Sequence, residues 1–213
     1  PVEGTDKEVY DAFCHFAEHK IGKTVVQVKD TPNFIGNRIG GLCLFLPFHL
    51  DSHGLNTLEI DRTCLSIVGW EPCKTWDIVG LQLAGPVGGN VYNRVPDDPR
   101  HHWWNPDISQ IKTLVEKGFI GRKAKSKSGF LGMVKRKKMI FDFDKGEYVP
   151  AVLSDYPSLT AALDKKVRGL KKMEVMLSKE HDDPASKFAT NFFFSTLAYS
   201  LRMVGEICDQ TTD

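Results

Sequence analysis

The chain has 213 residues, of which 41% are hydrophobic and 26% are charged, and its formal net charge is +1. Such proportions are those of a globular protein that can bury a sizeable core in one domain or two small ones. The near-neutral charge excludes a protein whose overall field attracts nucleic acid or an anionic membrane. No apolar run approaches the roughly 18–20 residues that cross a bilayer, so we expect no membrane span.

The five cysteines indicate a reduced compartment. Their number is odd, no two form a Cys-x-x-Cys pair, and three sit inside apolar patterns. Buried thiols of this kind are typical of cytoplasmic proteins, which is the location we predict. A catalytic cysteine is the weaker alternative. The residues are Cys14, Cys43, Cys64, Cys73 and Cys208.

The first 30 residues predict a helix and a short strand. Thr5 and Glu8 have the spacing of a capping box, and Gly22 is a natural helix stop. Between them the apolar residues recur at helical period: Val9, Phe13, Phe16 and Ala17. Residues 24–28 form a β-branched run that favours a strand.

Three helices are predicted between residues 33 and 94. Residues 33–52 are apolar on most sides, which indicates a buried helix with a kink at Pro47. Glycines within it favour the close approach of another helix or a ligand: Gly36, Gly40 and Gly41. Residues 58–68 predict a short helix. Residues 76–94 predict another, interrupted at Gly85-Pro86 and Gly88-Gly89.

Residues 95–106 predict a loop that contains the sequence HHWW at positions 101–104. Adjacent histidines point in different directions, and no cysteine or acidic cluster has zinc spacing around them. We therefore expect a surface aromatic loop and no metal site. Asp107 is expected to cap a helix over residues 108–117, with Gly118 just after its end.

Residues 117–138 contain nine Lys or Arg residues and no acidic residue. Their glycines and aromatics admit a nucleic-acid-binding interpretation, but no standard binding motif is present. Acidic residues follow directly. We therefore predict a solvated basic hairpin with a turn at residues 144–147, and no nucleic-acid partner.

Long helices are predicted after Pro150. Apolar residues at helical spacing form a stripe through residues 159–177. Asp183 and Pro184 have the N-cap and N1 chemistry of a helix start. The helix that follows, to about residue 209, is apolar on two faces and is expected to be a central core helix. One face contains Phe188, Phe192, Thr196, Tyr199 and Met203, and the other contains Phe193, Leu197, Leu201 and Val204.

The most informative segment is residues 29–39, which read KDTPNFIGNRI. A helix that begins near Pro32 holds Asn37 among free backbone N–H groups, where an amide can meet a polar or anionic ligand. The alternative is that Asn37 satisfies local backbone groups, as Asn near helix starts often does.

This segment resembles the signature that opens the C-terminal domain of 3-hydroxyacyl-CoA dehydrogenases, the NAD-linked enzymes of fatty-acid β-oxidation. Downstream, WDIVGL at 76–81 is similar to a segment of the same family. Three further segments resemble the long bacterial members that also carry a hydratase domain: VY at 91–92, PDD at 96–98 and VEKGFIGRK at 115–123.

The resemblance implies a mainly α fold. We expect a helical bundle resembling the 6-phosphogluconate dehydrogenase C-terminal-domain-like fold, with a short strand and a basic hairpin. Residues 1–30 would be the end of a Rossmann domain and a linker, residues 31–150 a first C-terminal repeat, and residues 151–213 the start of a second, incomplete repeat. Because no Gly-x-Gly-x-x-Gly follows a strand, NAD is expected to bind a missing Rossmann domain and not this chain.

The implied reaction oxidises a 3-hydroxyacyl-CoA to the 3-ketoacyl-CoA, and the chain alone is expected to be inactive. Asn37 is the candidate catalytic residue, hydrogen-bonding the substrate or a His of the missing domain. Arg38 and Lys123 are candidate substrate-binding residues. For Arg38 a structural ion pair is the stronger alternative, and Lys123 would contact the phosphates of coenzyme A.

The resemblance has departures and leaves a second hypothesis open. Five residues separate Lys123 from Gly129, Leu131 stands where the family has Tyr, and the loop between Gly69 and Asp77 is short. The expected partners are an acyl-CoA substrate and a second copy in a homodimer. The alternative function is a helical interaction or dimerisation module without a catalytic role.

Overall fold

The computed structural model describes residues 1–123 and 128–208. Within them the chain is mainly α, as predicted, with helices joined by short loops. The helices are α1 (Lys7–His19), α2 (Phe34–Phe45), α3 (Thr57–Val68), α4 (Pro72–Val79), α5 (Ala84–Arg94), α6 (Ser109–Glu116), α7 (Pro157–Ala162), α8 (Leu170–Met176) and α9 (Pro184–Glu206). The strands are β1 (Leu131–Val134), β2 (Lys137–Asp142) and β3 (Glu147–Pro150).

One hydrophobic core joins the helices. α3 packs against α4, α8 and α9, and α2 packs against α4 and α9. The core includes side chains from both sides of residue 150, where the boundary between two repeats is predicted, and that division stays a prediction. Its largest fully buried apolar members are Trp76, Trp104, Tyr199, Phe45, Phe130, Phe188 and Phe192.

Helix α2 is shorter than the predicted helix over residues 33–52. It ends at Phe45, and a 3₁₀ turn over Leu46–Phe48 follows. Pro47 has no N–H to donate to the carbonyl four residues earlier, so it ends the α-helix rather than kinking it. Gly41 allows a close approach: a Cβ there would lie 3.1 Å from the ring of Trp104. The predicted close contact is thus with a tryptophan side chain.

Two buried carboxylates accept hydrogen bonds from backbone N–H groups at the N-terminal ends of α3 and α4. Glu59 and Asn56 form a capping box at α3, and a carboxylate oxygen of Glu59 also accepts from Ser154 N at 2.6 Å. Asp61 accepts from the backbone N–H of Cys73 and Lys74 at the start of α4, at 2.7 and 3.0 Å. Burial raises the pKa of Asp61 to about 7. These contacts fix the angle between the two helices.

The predicted interruption within residues 76–94 lies elsewhere. The break falls at Gly80, whose φ of 112° favours glycine, and α5 is continuous through Pro86 and Gly88. Pro86 lies in the first turn of α5, where its missing N–H costs no intrahelical bond. A Cβ on Gly88 would lie 2.8 Å from Phe45, so this glycine serves packing.

The N-terminal predictions need two corrections. The cap of α1 is Asp6, whose carboxylate accepts from Val9 N at 3.1 Å, and not Thr5. Residues 24–28 are not a strand. Among the described residues no strand lies beside them, and a strand without a neighbour cannot satisfy its backbone groups. α1 itself leaves Phe13 66% exposed.

The segment around residues 101–104 is not a surface loop. His101–Trp104 form a 3₁₀ turn, and Trp104 is fully buried with its ring centroid 5.8 Å from that of Phe45. Trp103 and Trp104 are both buried, because the large apolar area of an indole is more stable in the core than in water. Asp107 pairs with Lys112 at 3.2 Å and does not cap α6. Gly118 has the positive φ expected after a helix end.

The basic segment forms more than a hairpin. β1, β2 and β3 form an antiparallel sheet in that order. Leu131 pairs with Ile140, and Asp142 pairs with Glu147 across the predicted turn at residues 144–147. The predicted hairpin is therefore extended by β1 on its outer side.

The C-terminal helices differ from prediction at two places. Residues 159–177 are not one helix, because Gly169, at φ 57° and ψ −137°, separates α7 from α8. Asp183 caps α9 with Pro184 next to it, as predicted. The first predicted face of α9 is buried, but on the second face Leu201 is 65% exposed. Among the described helices, none is long and apolar enough to cross a membrane.

Candidate functional site

The first turn of α2 presents Asn37 to solvent. Phe34, Gly36 and Asn37 are exposed and lie on the outer side of the helix. Within residues 1–123 and 128–208, the Asn37 side chain has no hydrogen-bond partner. The alternative in which this amide satisfies local backbone groups is therefore not what the structure shows. Its donor and acceptor atoms are available to a ligand.

The start of α2 is held against α5. Asn33 precedes the helix in the left-handed region, at φ 67°. Its side chain donates to Val87 O at 3.3 Å and accepts from Asn90 Nδ2 at 2.8 Å. These bonds fix the backbone just before the first turn, and so they limit how far Asn37 can move.

Arg38, the next residue of α2, is buried in a cluster of charged and polar groups. We call Arg38, Asp98, Tyr199 and Glu206 the Arg38 cluster. Arg38 Nε donates to Tyr199 Oη at 2.8 Å, and Arg38 Nη2 pairs with Asp98 and, at 3.1 Å, with Glu206. Tyr199 Oη donates to Asp98 Oδ2 at 2.8 Å. The Arg38 side chain is 1% exposed, so the cluster joins α2 to α9 inside the protein.

Electrostatics keep Arg38 and Tyr199 each in one protonation state. Burial alone would lower the pKa of Arg38, but Tyr199, Asp98 and Glu206 outweigh it and raise that pKa above its ordinary value. Burial raises the pKa of Tyr199. The guanidinium stays charged and the phenol stays protonated near neutral pH, which suits an anchor rather than a proton donor.

Lys123 lies at the edge of the described structure. Its Nζ donates to Val79 O at 3.2 Å, at the end of α4, and the side chain is exposed. The insertion that separates Lys123 from Gly129 falls mostly on residues 124–127, outside the described residues. The predicted contact with coenzyme A phosphates remains a prediction.

Asp77 holds the base of this segment. Its carboxylate accepts from Phe130 N and Leu131 N, both at 2.8 Å. Gly129 is required beside it, since a Cβ there would lie 2.0 Å from Asp77 Oδ1. Burial raises the pKa of Asp77 to about 6, although the two backbone N–H groups and Arg122 oppose that rise. Asp77 thereby ties α4 to β1.

The described residues do not fit NAD. A dinucleotide site needs parallel strands and a glycine-rich loop at a helix start, whereas the sheet here is antiparallel. The glycines at 85, 88 and 89 lie within α5, and Gly88 is packed against Phe45. No group of three or more His, Cys, Asp or Glu side chains in the described part could hold a metal ion.

Part of this site is predictable from the sequence. The sequence pattern predicts Asn37 and Arg38 on the first turns of a helix and favours an ion pair for Arg38, which the contacts confirm. It does not identify the partners of Arg38. Asp98 was noticed only as part of a similar segment, and Tyr199 only as an apolar residue on the buried face of α9. A lone phenol at a core position, which needs a partner for its hydroxyl, was the available signal.

Comparison with known proteins gives several relatives. The chain is 34% identical over 217 aligned positions to a probable 3-hydroxyacyl-CoA dehydrogenase of Bacillus subtilis, covering 98% of the chain and 26% of that protein. It is 32% identical to a probable 3-hydroxyacyl-CoA dehydrogenase of Deinococcus radiodurans, covering 65% of the chain and 39% of that protein. A putative fatty acid oxidation complex trifunctional enzyme of Rickettsia prowazekii is 27% identical over 54% of the chain.

The chain therefore spans well under half the length of the curated relatives it matches. No family model matches it, and no solved structure matches it significantly. The likeness to the 6-phosphogluconate dehydrogenase C-terminal-domain-like fold thus stays a prediction. The family resemblance of residues 29–39 is confirmed: in sequence, this chain is homologous to part of the 3-hydroxyacyl-CoA dehydrogenases.

Proposed function

We propose that this chain is the substrate-side helical part of an NAD-dependent 3-hydroxyacyl-CoA dehydrogenase of fatty-acid β-oxidation. The observation that carries the proposal is the free amide of Asn37, exposed on the first turn of an otherwise buried helix. The homology to proteins named 3-hydroxyacyl-CoA dehydrogenase supports the same reaction class. The hydrogen bonds of Asn33 to α5 and of Arg38 to Tyr199 support the backbone on either side of this amide, as the position of a binding residue requires.

In this proposal Asn37 binds and orients the reacting groups. An amide offers two N–H donors and a carbonyl acceptor, and it does not titrate, so it can hydrogen-bond the substrate at any working pH. Its partner is the acyl-CoA substrate or a base on the domain that binds NAD. NAD itself would bind outside the described residues, because they do not fit it.

The Arg38 cluster and Lys123 take supporting roles. All three contacts of the Arg38 guanidinium are to residues of this chain. Of the two roles predicted for Arg38, these contacts favour the structural one: it anchors the turn that presents Asn37. Lys123 is exposed at the edge of the basic segment, where an ammonium group could contact a phosphate of coenzyme A.

The test is activity with and without a nucleotide-binding domain. The complete enzyme should oxidise NADH with acetoacetyl-CoA, whereas the 213-residue chain should show neither turnover nor saturable binding of micromolar NAD by calorimetry. Absence of turnover by the complete enzyme with 3-ketoacyl-CoA substrates of several chain lengths would refute the reaction class. Saturable NAD binding by the chain alone would refute the assignment of the cofactor site.

A second candidate function is a dimerisation module, and one observation favours it. The outer face of α9 exposes Phe194, Leu197 and Leu201 at helical spacing. An apolar stripe of this kind is typical of a surface that another protein covers. A homodimer of a cytoplasmic enzyme remains our prediction. Analytical ultracentrifugation of Leu201→Glu beside the unchanged chain tests it: a dimer that becomes a monomer supports it, and a monomer in both contradicts it.

A further inference from the structure

A groove lies between the three-stranded sheet and helices α3 and α4, away from Asn37. Its volume is about 610 Å³, within the range of small-molecule sites. Its lining includes neither Asn37, Arg38 nor Lys123, so it is separate from the site proposed above. We call it the sheet groove. Its apolar wall is formed by Leu58, Leu131, Met133, Met139, Val152 and Leu153.

The apolar wall is open to solvent. Met133 is 60% exposed and Val152 is 64% exposed, although they line a concave surface. When an apolar ligand covers exposed apolar area in a cavity, the binding free energy becomes more favourable by about 0.8 kcal/mol for each CH₂ group removed from water. No aromatic side chain is among the lining residues, so the groove offers no platform on which nucleic-acid bases could stack.

The rim of the sheet groove carries an excess of positive charge. Among the described residues, four cationic side chains line it: Arg62, Lys74, Arg122 and Lys138. Glu71 pairs with two of them, at 2.7 Å from Arg62 and in a short contact with Lys74. The other carboxylate in the described lining, Asp77, is buried and accepts two backbone N–H groups, and it interacts electrostatically with Arg122 without forming an ion pair.

Arg122 and Lys138 are the available cations. Both are exposed, and neither is in an ion pair with a residue in the described part of the chain. Lys138 lies opposite Met133 in the pairing of β1 with β2. A positive group therefore lies directly beside Met133, an exposed part of the apolar wall.

We propose that the sheet groove binds one fatty-acid anion, with its hydrocarbon chain on the apolar wall and its carboxylate between Arg122 and Lys138. The concave shape and the limited volume fit a single chain rather than a bilayer surface. The charge excess selects an anionic head over a neutral one. This site goes beyond the proposed dehydrogenase function and does not depend on it.

Calorimetry with laurate below its micelle concentration tests the proposal on the 213-residue chain. Laurate should bind saturably with one site per chain, and decanoate about tenfold more weakly, because it has two fewer CH₂ groups. Arg122→Gln with Lys138→Gln should weaken laurate binding about tenfold, the effect of two lost exposed charge contacts. Dodecanol should bind the unchanged chain and this variant equally.

Two control variants show whether a loss of laurate affinity comes from the groove itself or from the lower net charge of the protein. A stability measurement shows whether it comes from unfolding. Lys135→Gln with Arg136→Gln removes the same charge from the β1–β2 turn, outside the groove, and should change the dissociation constant less than twofold. Arg122→Lys with Lys138→Arg should retain binding. Circular dichroism melting confirms that each variant is folded.

Three results would overturn the proposal. They are the absence of saturable laurate binding, an equal loss of affinity in the groove variant and the turn variant, and binding of the chain to anionic vesicles without binding of monomeric laurate. The last result would assign the patch to a membrane surface instead.

Discussion

Two adjacent residues on the first turn of α2 lie in opposite environments. Arg38 is inside the protein, where its guanidinium contacts Asp98, Tyr199 and Glu206. Asn37, one residue earlier, is exposed and has no hydrogen-bond partner among the described residues. One turn of helix thus carries a group that is committed to the fold and a group that is left available.

The buried residue can hold in position the backbone that carries the exposed amide. A side chain on an exposed turn is only as well positioned as the backbone beneath it. Here the Arg38 cluster fixes the turn from the inside and Asn33 fixes its start. We therefore expect changes at Arg38 to affect stability first, and changes at Asn37 to affect only binding and turnover.

Among the changes predicted here, loss of the buried Arg38 cation should lower the free energy of unfolding the most. Arg38→Met leaves the carboxylate of Asp98 buried without its cation, which should lower the free energy of unfolding by about 3–5 kcal/mol. Urea denaturation measures this. Lys7→Met, which breaks the exposed pair with Asp11, is the control and should cost less than about 1 kcal/mol. A loss of similar size in both would show that burial is not decisive.

Helix α9 offers the same contrast between buried and exposed positions. Phe192→Ala empties a fully buried site and should cost about 3–5 kcal/mol. Leu201→Ala, on the exposed face, should change stability by less than about 0.5 kcal/mol when the chain is monomeric. A large cost at Leu201 would mean that another copy or another segment covers this face.

Asp77 differs from Asp98 in its partners. Both carboxylates are buried, but Asp77 accepts from backbone amides whereas Asp98 pairs with the Arg38 cation. With the pKa of Asp77 raised to about 6, the folded state binds a proton more tightly than the unfolded state does. Its contribution to stability is therefore complete near pH 4 and is lost as the pH rises through about 6. The unfolding free energy should fall over this window by an amount on the order of 3 kcal/mol from this group.

The measurement is urea denaturation at several pH values between 4 and 7. Asp77→Asn should lack this part of the pH dependence. Asp142→Asn is a control of opposite sign: a backbone hydrogen bond from Lys145 lowers the pKa of Asp142, so its contribution is lost as the pH falls. Equal pH profiles for Asp77→Asn and the unchanged chain would contradict the role of this group.

The sequence predicted the elements that depend on local chemistry. Asp183 next to Pro184 specified the start of α9, and Gly118 the end of α6. It also placed Asn37 and Arg38 on the first turn of α2. Signals of this kind lie within a few residues of one another, so a single sequence contains them.

Predictions were wrong where the structure depends on contacts between residues that are far apart in the sequence. Residues 24–28 have the composition of a strand, but a strand needs a neighbouring strand to satisfy its backbone hydrogen bonds. Among the described residues no strand pairs with residues 24–28. Trp104 was expected on the surface, yet the cavity that receives it is formed by α2 and α5. The face of α9 with Leu201 is apolar, and its composition does not tell whether this chain or another one covers it.

The most direct test of this account is Asn37→Ala in the complete enzyme, with turnover and thermal stability measured on the same preparation. We predict that kcat falls by about 10²–10³-fold, the effect of one hydrogen bond to a transition state. The melting temperature should change by less than about 2 °C, since Asn37 makes no contact that stabilises the fold. A melting temperature lower by several degrees with kcat reduced less than threefold would show that Asn37 is structural, and would contradict the account.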